Sequence, residues 1–220
     1  MIKAVILDFD DTLTLTEEAC YRLGNDVLKQ MGRPKMDRKV HMETWGQQIF
    51  EVMGVRSPGI DLEEFKKIYS KVLDEYINSG NFDQIPETNF ETLRQIEKQG
   101  KHLAILTGRS KAELRHILVE EHLLNGLIKE FYHQDNLCYQ KPDPRTFDDI
   151  INKNNLKPAE CVYVGDSLND AKAALGAKMN FIATLESGLR KKEDFTKLGV
   201  DYFIYKFPDL LKAIKCLDKY

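Results

Sequence analysis

The apolar residues of this chain follow two periodicities, and the change from one to the other divides it. Ala4-Val5-Ile6-Leu7 is a short, unbroken, partly β-branched run closed by Asp8, which predicts a buried strand. Beyond Leu13 the spacing lengthens. Ala19, Leu23, Val27, Leu28 and Met31 share one helical face, with Glu17, Arg22, Asp26 and Lys29 elsewhere, until Gly32-Arg33-Pro34 breaks the helix. A second helical stretch holds Trp45, Ile49, Phe50 and Met53 before Ser57-Pro58-Gly59, and a third repeats Phe65, Ile68, Tyr69, Val72, Leu73, Tyr76 and Ile77. The Met and aromatic positions of these stripes read as the interior of a helical unit rather than as ligand contacts. Residues 15–82 therefore predict a helical insertion, with short connections at Leu13 to Thr16 and Gly80 to Gln84 and a Gly80-Asn81 turn marking the return.

From Pro86 onward helix and strand alternate. The pattern predicts helices at about 87–99, 111–122, 144–154, 168–175 and 208–218, and strands at about 102–107, 161–165, 179–184 and 202–205. Phe131-Tyr132 reads as a short strand and His133 to Asn136 as loop. Such alternation implies right-handed crossovers and an α/β fold whose mostly parallel sheet is covered on both faces. The predicted core is discontinuous, residues 1–14 and 83–220, interrupted by 15–82. Ligands of such sheets bind beyond the carboxyl ends of the strands.

Charge and composition narrow the partners. Lys and Arg number 32 against 35 Asp and Glu, a net charge of -3, and no basic stripe carries interleaved aromatics, so a nucleic-acid partner is not expected. Arg190-Lys191-Lys192 is broken at once by Glu193-Asp194 and reads as a solvated helix start. Cys20, Cys138, Cys161 and Cys216 form no Cys-x-x-Cys pair, which points to reduced thiols in a cytoplasmic protein rather than a zinc site or disulfides. The first apolar run, interrupted by Lys3, is too short for a signal segment or a membrane span. His41, His102, His116, His122 and His133 show no metal-ligand spacing and are expected at the surface or its boundary.

Four short segments, three at strand ends and one in a loop, carry chemistry. Asp8 and Asp10, two apart after a strand, face the same way, and paired carboxylates taken out of water call for a cation such as Mg2+. Alone, Asp-x-Asp reads equally well as a polar turn. Leu103-Ala104-Ile105-Leu106 leads into Thr107-Gly108-Arg109-Ser110, a hydroxyl and free backbone N–H groups suited to a phosphate oxygen. Lys141 sits in Gln140-Lys141-Pro142-Asp143-Pro144, where the prolines stiffen the chain around one cation. Cys161-Val162-Tyr163-Val164 delivers Gly165-Asp166-Ser167-Leu168-Asn169-Asp170 at another strand end.

Strand–Asp-x-Asp-x-Thr, strand–Thr, loop–Lys and strand–Gly-Asp-x-x-x-Asp in this order closely resemble the haloacid dehalogenase-like phosphohydrolase superfamily, over the whole chain outside the insertion. The resemblance implies a Rossmann-like three-layer core with an inserted α-helical cap at 15–82, and a Mg2+-dependent phosphatase acting on a small phosphorylated metabolite. It makes Asp8 the nucleophile that forms an aspartyl phosphate, and Asp10 the acid that protonates the leaving oxygen and then the base that activates water. Thr107 and Lys141 would hold the transferred phosphoryl group, with Gly108 in the same substrate-binding loop. Asp8, Asp10 through its backbone carbonyl, and Asp166 would bind Mg2+. Asp170 would orient water or Lys141, unless it is simply an exposed helix-face carboxylate.

The second Asp separates this chain from the haloacid dehalogenases themselves, which lack it and need no Mg2+. The similarity is to the phosphoglycolate phosphatase and β-phosphoglucomutase-like branch. Asp11 stands where Gly is frequent and is expected to point outward. Mutases of that branch commonly carry a His near the position of Cys20, and no His lies between Asp8 and His41, which favours a phosphatase. A sugar-phosphate mutase, a nucleotidase and a sugar phosphatase remain alternatives, as does a non-catalytic binding module on the same fold. A monomer or homodimer is expected, with no membrane association.

Overall fold

The computed structural model describes residues 1–80 and 82–219. The expected Gly80-Asn81 turn includes Asn81, which lies outside the described residues. The chain forms two compact units, Met1–Thr14 with Ile85–Tyr220, and Leu15–Gln84.

The first unit is built on strands β1 (Ala4–Leu7), β2 (His102–Leu106), β3 (Glu130–Tyr132), β4 (Cys161–Gly165), β5 (Asn180–Thr184) and β6 (Tyr202–Ile204). They form one sheet in the order β3-β2-β1-β4-β5-β6, every pair parallel. The first strand lies in the middle because all four of its residues are fully buried, and only a strand flanked on both edges and covered on both faces can bury them all. Val5, Leu7, Ile105, Val162 and Val164 face one layer, which includes Phe90, Leu93 and Ile96 of helix α5 (Glu87–Lys98) and Leu210, Ile214 and Leu217 of α9 (Leu210–Leu217). Ala4, Ile6, Ala104, Leu106 and Tyr163 face the other, with Ile150 of α6 (Asp148–Lys153), Ala171, Ala173 and Ala174 of α7 (Leu168–Gly176) and Phe195 of α8 (Lys192–Thr196). Each fully buried Val, Leu, Ile or Phe contributes about 1.5–3 kcal/mol, so this two-sided burial holds the strand ends in place. The Asn89 side chain donates to the Leu13 carbonyl at 2.9 Å, joining the point where the chain leaves this unit to the helix that follows its return.

Two sequence expectations are corrected here. Residues 111–122 form successive turns rather than an α-helix. Side chains take carbonyls that a helix would have used: Arg115 donates to Ala112 O at 2.5 Å, and Asn125 donates to Ile117 O and Val119 O. The helix expected at 144–154 begins as a 3-10 turn, Pro144–Phe147, capped by Asp143, and becomes α-helical only at Asp148.

The second unit holds α1 (Glu17–Gln30), α2 (Arg38–Glu43), α3 (Ile49–Arg56) and α4 (Leu62–Asn78). Leu23, Val27 and Leu28 of α1 pack in one cluster with Met53 of α3 and Phe65, Tyr69, Val72 and Leu73 of α4. Asp61 caps α4 by accepting from Glu63 N and Glu64 N, an arrangement worth about 0.5–2 kcal/mol. Of the helical stretch expected to hold Trp45, Ile49, Phe50 and Met53, the last three lie in α3, while Trp45 sits in the turn after α2 beside Gly46, whose φ of 85° lies outside the right-handed helical region.

His41 is also corrected: it is wholly buried, with Nε2 2.8 Å from Glu17 Oε1. Burial, reinforced by Arg56 and Arg38, pushes its imidazole down to about 3, so it is neutral at physiological pH. His133, in the first unit, is buried as well. No described helix is long and apolar enough to cross a membrane.

Candidate active site

The sheet order puts β1 between β2 and β4, with Leu7 in register with both Ile105 and Val164. The segments after these three strands therefore emerge side by side. Asp8 N donates to Val164 O at 2.9 Å and Thr107 N to Tyr132 O at 3.0 Å, so the backbone is held by the sheet up to the residues that carry the chemistry.

Lys141 gathers the motifs. Its Nζ donates to Asp8 Oδ1 at 2.9 Å, Asp170 Oδ1 at 2.7 Å and Tyr163 Oη at 3.0 Å. The Lys141-Pro142 peptide is cis. Asp170 is not an exposed helix-face residue; it is fully buried. Its Oδ2 accepts from Ser167 N at 2.9 Å and Ser167 Oγ at 2.6 Å, while Asp170 N donates back to Ser167 Oγ, so the carboxylate that holds Lys141 also caps α7. Gly165 makes this possible, since a Cβ there would lie 2.6–2.7 Å from Asp170 side-chain atoms.

Asp8 and Asp166 are both buried. Burial pushes Asp8 up to about 7, and the neighbouring carboxylates Asp170 and Asp10 add to this, although Lys141 pulls the other way. Burial likewise raises Asp166 well above the carboxylate range, with Asp170, Asp11 and Asp8 adding to it. Both shifts share their leading cause, removal of the carboxylates from water, and the Lys141 ammonium does not offset it together with the neighbouring negative charge. Asp11, expected to point outward, is instead 2% exposed, with φ 51°, and close enough to act on Asp166. The tight turn after β1 brings it inward.

The donor set fits a hard divalent cation. Oxygen atoms of Asp8, Asp166 and Asp170 lie within 4.8 Å of one another, and all three residues are buried. Asp170 is already committed to Ser167 and Lys141, which leaves Asp8 and Asp166 as the side chains best able to serve as ligands.

Asp10 turns elsewhere. Arg109 Nε donates to its Oδ2 at 3.0 Å and Nη2 to its Oδ1 at 2.6 Å, a bidentate pair, and the guanidinium lies 4.9 Å from the Phe9 ring centroid. The backbone N of Arg109 donates to Thr107 Oγ1 at 3.3 Å. Thr107 is buried; Gly108 beside it is exposed, and a Cβ there would meet nothing within 4 Å. Direct contacts thus join Asp8, Lys141 and Asp170, with Asp166 in the same carboxylate cluster, and link Asp10 to Thr107 through Arg109.

Sequence reasoning missed Arg109 and Tyr163. Arg109 stood inside the Thr-Gly-Arg-Ser segment but was read only for its backbone. Tyr163 carried a signal, a phenol within an otherwise apolar strand, because a buried hydroxyl needs partners.

Adjacent parallel strands that present carboxylates and a hydroxyl at their carboxyl ends, with a loop lysine reaching into them, have the arrangement of an α/β phosphohydrolase. The chain belongs to the haloacid dehalogenase-like hydrolases, the family whose model matches residues 5–184. It is similar to phosphoglycolate phosphatase of Nitrosospira multiformis, 26% identical over 231 residues that cover 99% of this chain and 96% of that protein. A predicted phosphoglycolate phosphatase from Haemophilus somnus has the same fold, with a TM-score of 0.81 at 21% identity over 97% of this chain and 98% of that one. CbbY from Rhodobacter sphaeroides, solved in complex with xylulose-(1,5)bisphosphate, has a TM-score of 0.80 at 20% identity over 97% and 99% of the two chains. This protein is accordingly a hydrolase of phosphate monoesters in the phosphoglycolate phosphatase-like branch.

Proposed function

We propose that the protein is a Mg2+-dependent phosphatase that hydrolyses a small phosphorylated metabolite through an aspartyl phosphate on Asp8. The observation that carries this reading is the meeting of the buried Asp8 and Asp166 with Lys141, with more negative charge than the lysine balances. Asp8 and Asp166 would hold the cation with their side chains, and Asp10 with its backbone carbonyl. Bound Mg2+ would supply a positive charge that screens the carboxylates from an incoming phosphate dianion.

One oxygen of Asp8 attacks phosphorus while Lys141 and the Thr107 hydroxyl hold phosphoryl oxygens, Gly108 leaving room beside them. The bond between phosphorus and the ester oxygen breaks, and Asp10 gives its proton to that oxygen. Asp10 then takes a proton from the water that attacks the aspartyl phosphate, which restores Asp8 and releases inorganic phosphate. Proton transfer in either direction uses one Asp10 oxygen, which leaves Arg109 while the other oxygen stays held and aligned. The helical unit Leu15–Gln84 corresponds on this reading to the cap, where substrate choice would reside.

The similarity to the Nitrosospira phosphatase favours phosphoglycolate or another compact acid phosphate as substrate. A panel of phosphoglycolate, sugar phosphates and nucleotides, ranked by kcat/KM with Mg2+ present, tests this directly. Phosphoglycolate should rank at or near the top. No turnover of any member, or of an activated aryl phosphate, would overturn the phosphatase reading.

A further inference from the structure

Tyr163 has no part in the steps above, yet its hydroxyl lies at the heart of the cluster. The residue is the third of β4, in register with Ile6 on one side and Phe181 on the other, and it is fully buried. Its ring packs edge-on against Phe147 at 4.9 Å and near Phe181 at 6.2 Å. A phenylalanine would satisfy that packing, so the oxygen serves something else.

The hydroxyl has one proton and two lone pairs. Leu106 O, at 3.0 Å, is its nearest acceptor, ahead of Asp170 Oδ1 at 3.2 Å. With the proton directed to Leu106, a lone pair is left to receive an N–H of Lys141 at 3.0 Å. Leu106 immediately precedes Thr107, so this one oxygen ties the end of β2 to the lysine. Lys141 has three N–H protons, and Asp8, Asp170 and Tyr163 take one each.

These three acceptors differ in permanence. Asp170 is fixed by Ser167 and by the absence of a side chain at Gly165, and Tyr163 by its ring packing and the Leu106 carbonyl. Asp8 is the acceptor that must change partners, since its oxygens are needed for attack.

We propose that Tyr163 is a positioning residue for Lys141. With Asp170 it forms a permanent seat for the ammonium, and the N–H now on Asp8 is the one that passes to a phosphoryl oxygen. This rests on the reading of Lys141 as a phosphoryl-holding residue.

The test is Tyr163→Phe, which removes one oxygen and keeps the ring. The ammonium of Lys141 is followed as a proton–nitrogen correlation in lysine-labelled protein, assigned by its loss in Lys141→Arg, and kinetics are measured on an activated aryl phosphate. The wild type should show a slowly exchanging ammonium signal, and the variant a shifted signal with faster exchange. The variant's kcat should fall roughly ten- to a hundredfold, the size expected for one hydrogen bond to a charged group, with KM changed by less than about threefold.

A role in packing alone would lower the melting temperature and leave both kcat and the ammonium signal unchanged, which would overturn the proposal. If the wild type turns over no phosphate ester, the phosphatase reading fails, but the ammonium signal still decides the seat: faster exchange in the variant supports it and unchanged exchange overturns it. Should the variant not fold, the wild-type signal decides, and lack of slow exchange there overturns the proposal.

Discussion

Arg109 grips Asp10 through both carboxylate oxygens, at 3.0 and 2.6 Å. A fork of this kind aligns a carboxylate in a way that a point charge cannot. Arg109→Lys should therefore keep the charge and lose the alignment. For an alkyl phosphate, whose leaving oxygen needs a proton, kcat should fall in Arg109→Lys and further in Arg109→Ala, within the roughly 10²–10⁴-fold that general acid catalysis supplies. Single-turnover release of an activated aryl alcohol, which leaves without a proton, should fall far less. Equal losses for both leaving groups would show that the fork does not serve the acid.

Asp8→Asn should abolish turnover while preserving the fold, because the amide has similar shape and is a poor nucleophile. It should also raise the melting temperature of metal-free protein near pH 8. Asp8 is raised from its ordinary 3.8 to about 7 by burial, so its contribution to stability is fully present below pH 3.8 and is lost as pH rises through about 7. The variant should lack that part of the decline. Calorimetric melting from pH 4 to 8, run for both proteins, checks the sign.

Mg2+ should bind in competition with protons. A ligand that titrates near 7 must be deprotonated to coordinate, so the apparent affinity should climb as pH rises from about 6 to 8, with proton release on binding. Asp166→Asn should weaken binding and raise the Mg2+ concentration needed for activity. Titration calorimetry in buffers of different ionisation enthalpy measures both effects. Unchanged affinity in Asp166→Asn would remove that residue from the ligand set.

Gly165→Ala tests how closely Asp170 is held. The added methyl would overlap Asp170 side-chain atoms at 2.6–2.7 Å, so the carboxylate must move and Lys141 with it. Activity should fall by at least about tenfold, with a loss of stability of the order of 1–3 kcal/mol from overpacking. Wild-type kcat in a folded Gly165→Ala preparation would contradict this account of the glycine.

The sheet was legible because burial on both faces writes itself into the chain as continuous apolar runs such as Ala4–Leu7 and Cys161–Val164. The polar residues that directly follow such runs, Asp8, Thr107 and Asp166, stand out as candidates for the same reason. Contacts between distant side chains could not. Nothing local shows that Arg109 reaches Asp10, that Asp11 turns inward, or that His41 is buried against Glu17. The turns at 111–122 escaped because their apolar spacing is helical, while the side chains that claim the carbonyls include Asn125, beyond the segment itself.

The Asn89 bond to the Leu13 carbonyl bears on how such a chain can diversify. It ties the exit from β1 to the helix after the return, so the first unit closes its own seam whatever lies between. An insert joined at Thr14 and Ile85 can then be lengthened, shortened or exchanged as a cartridge, while the carboxylates at the strand ends stay in register.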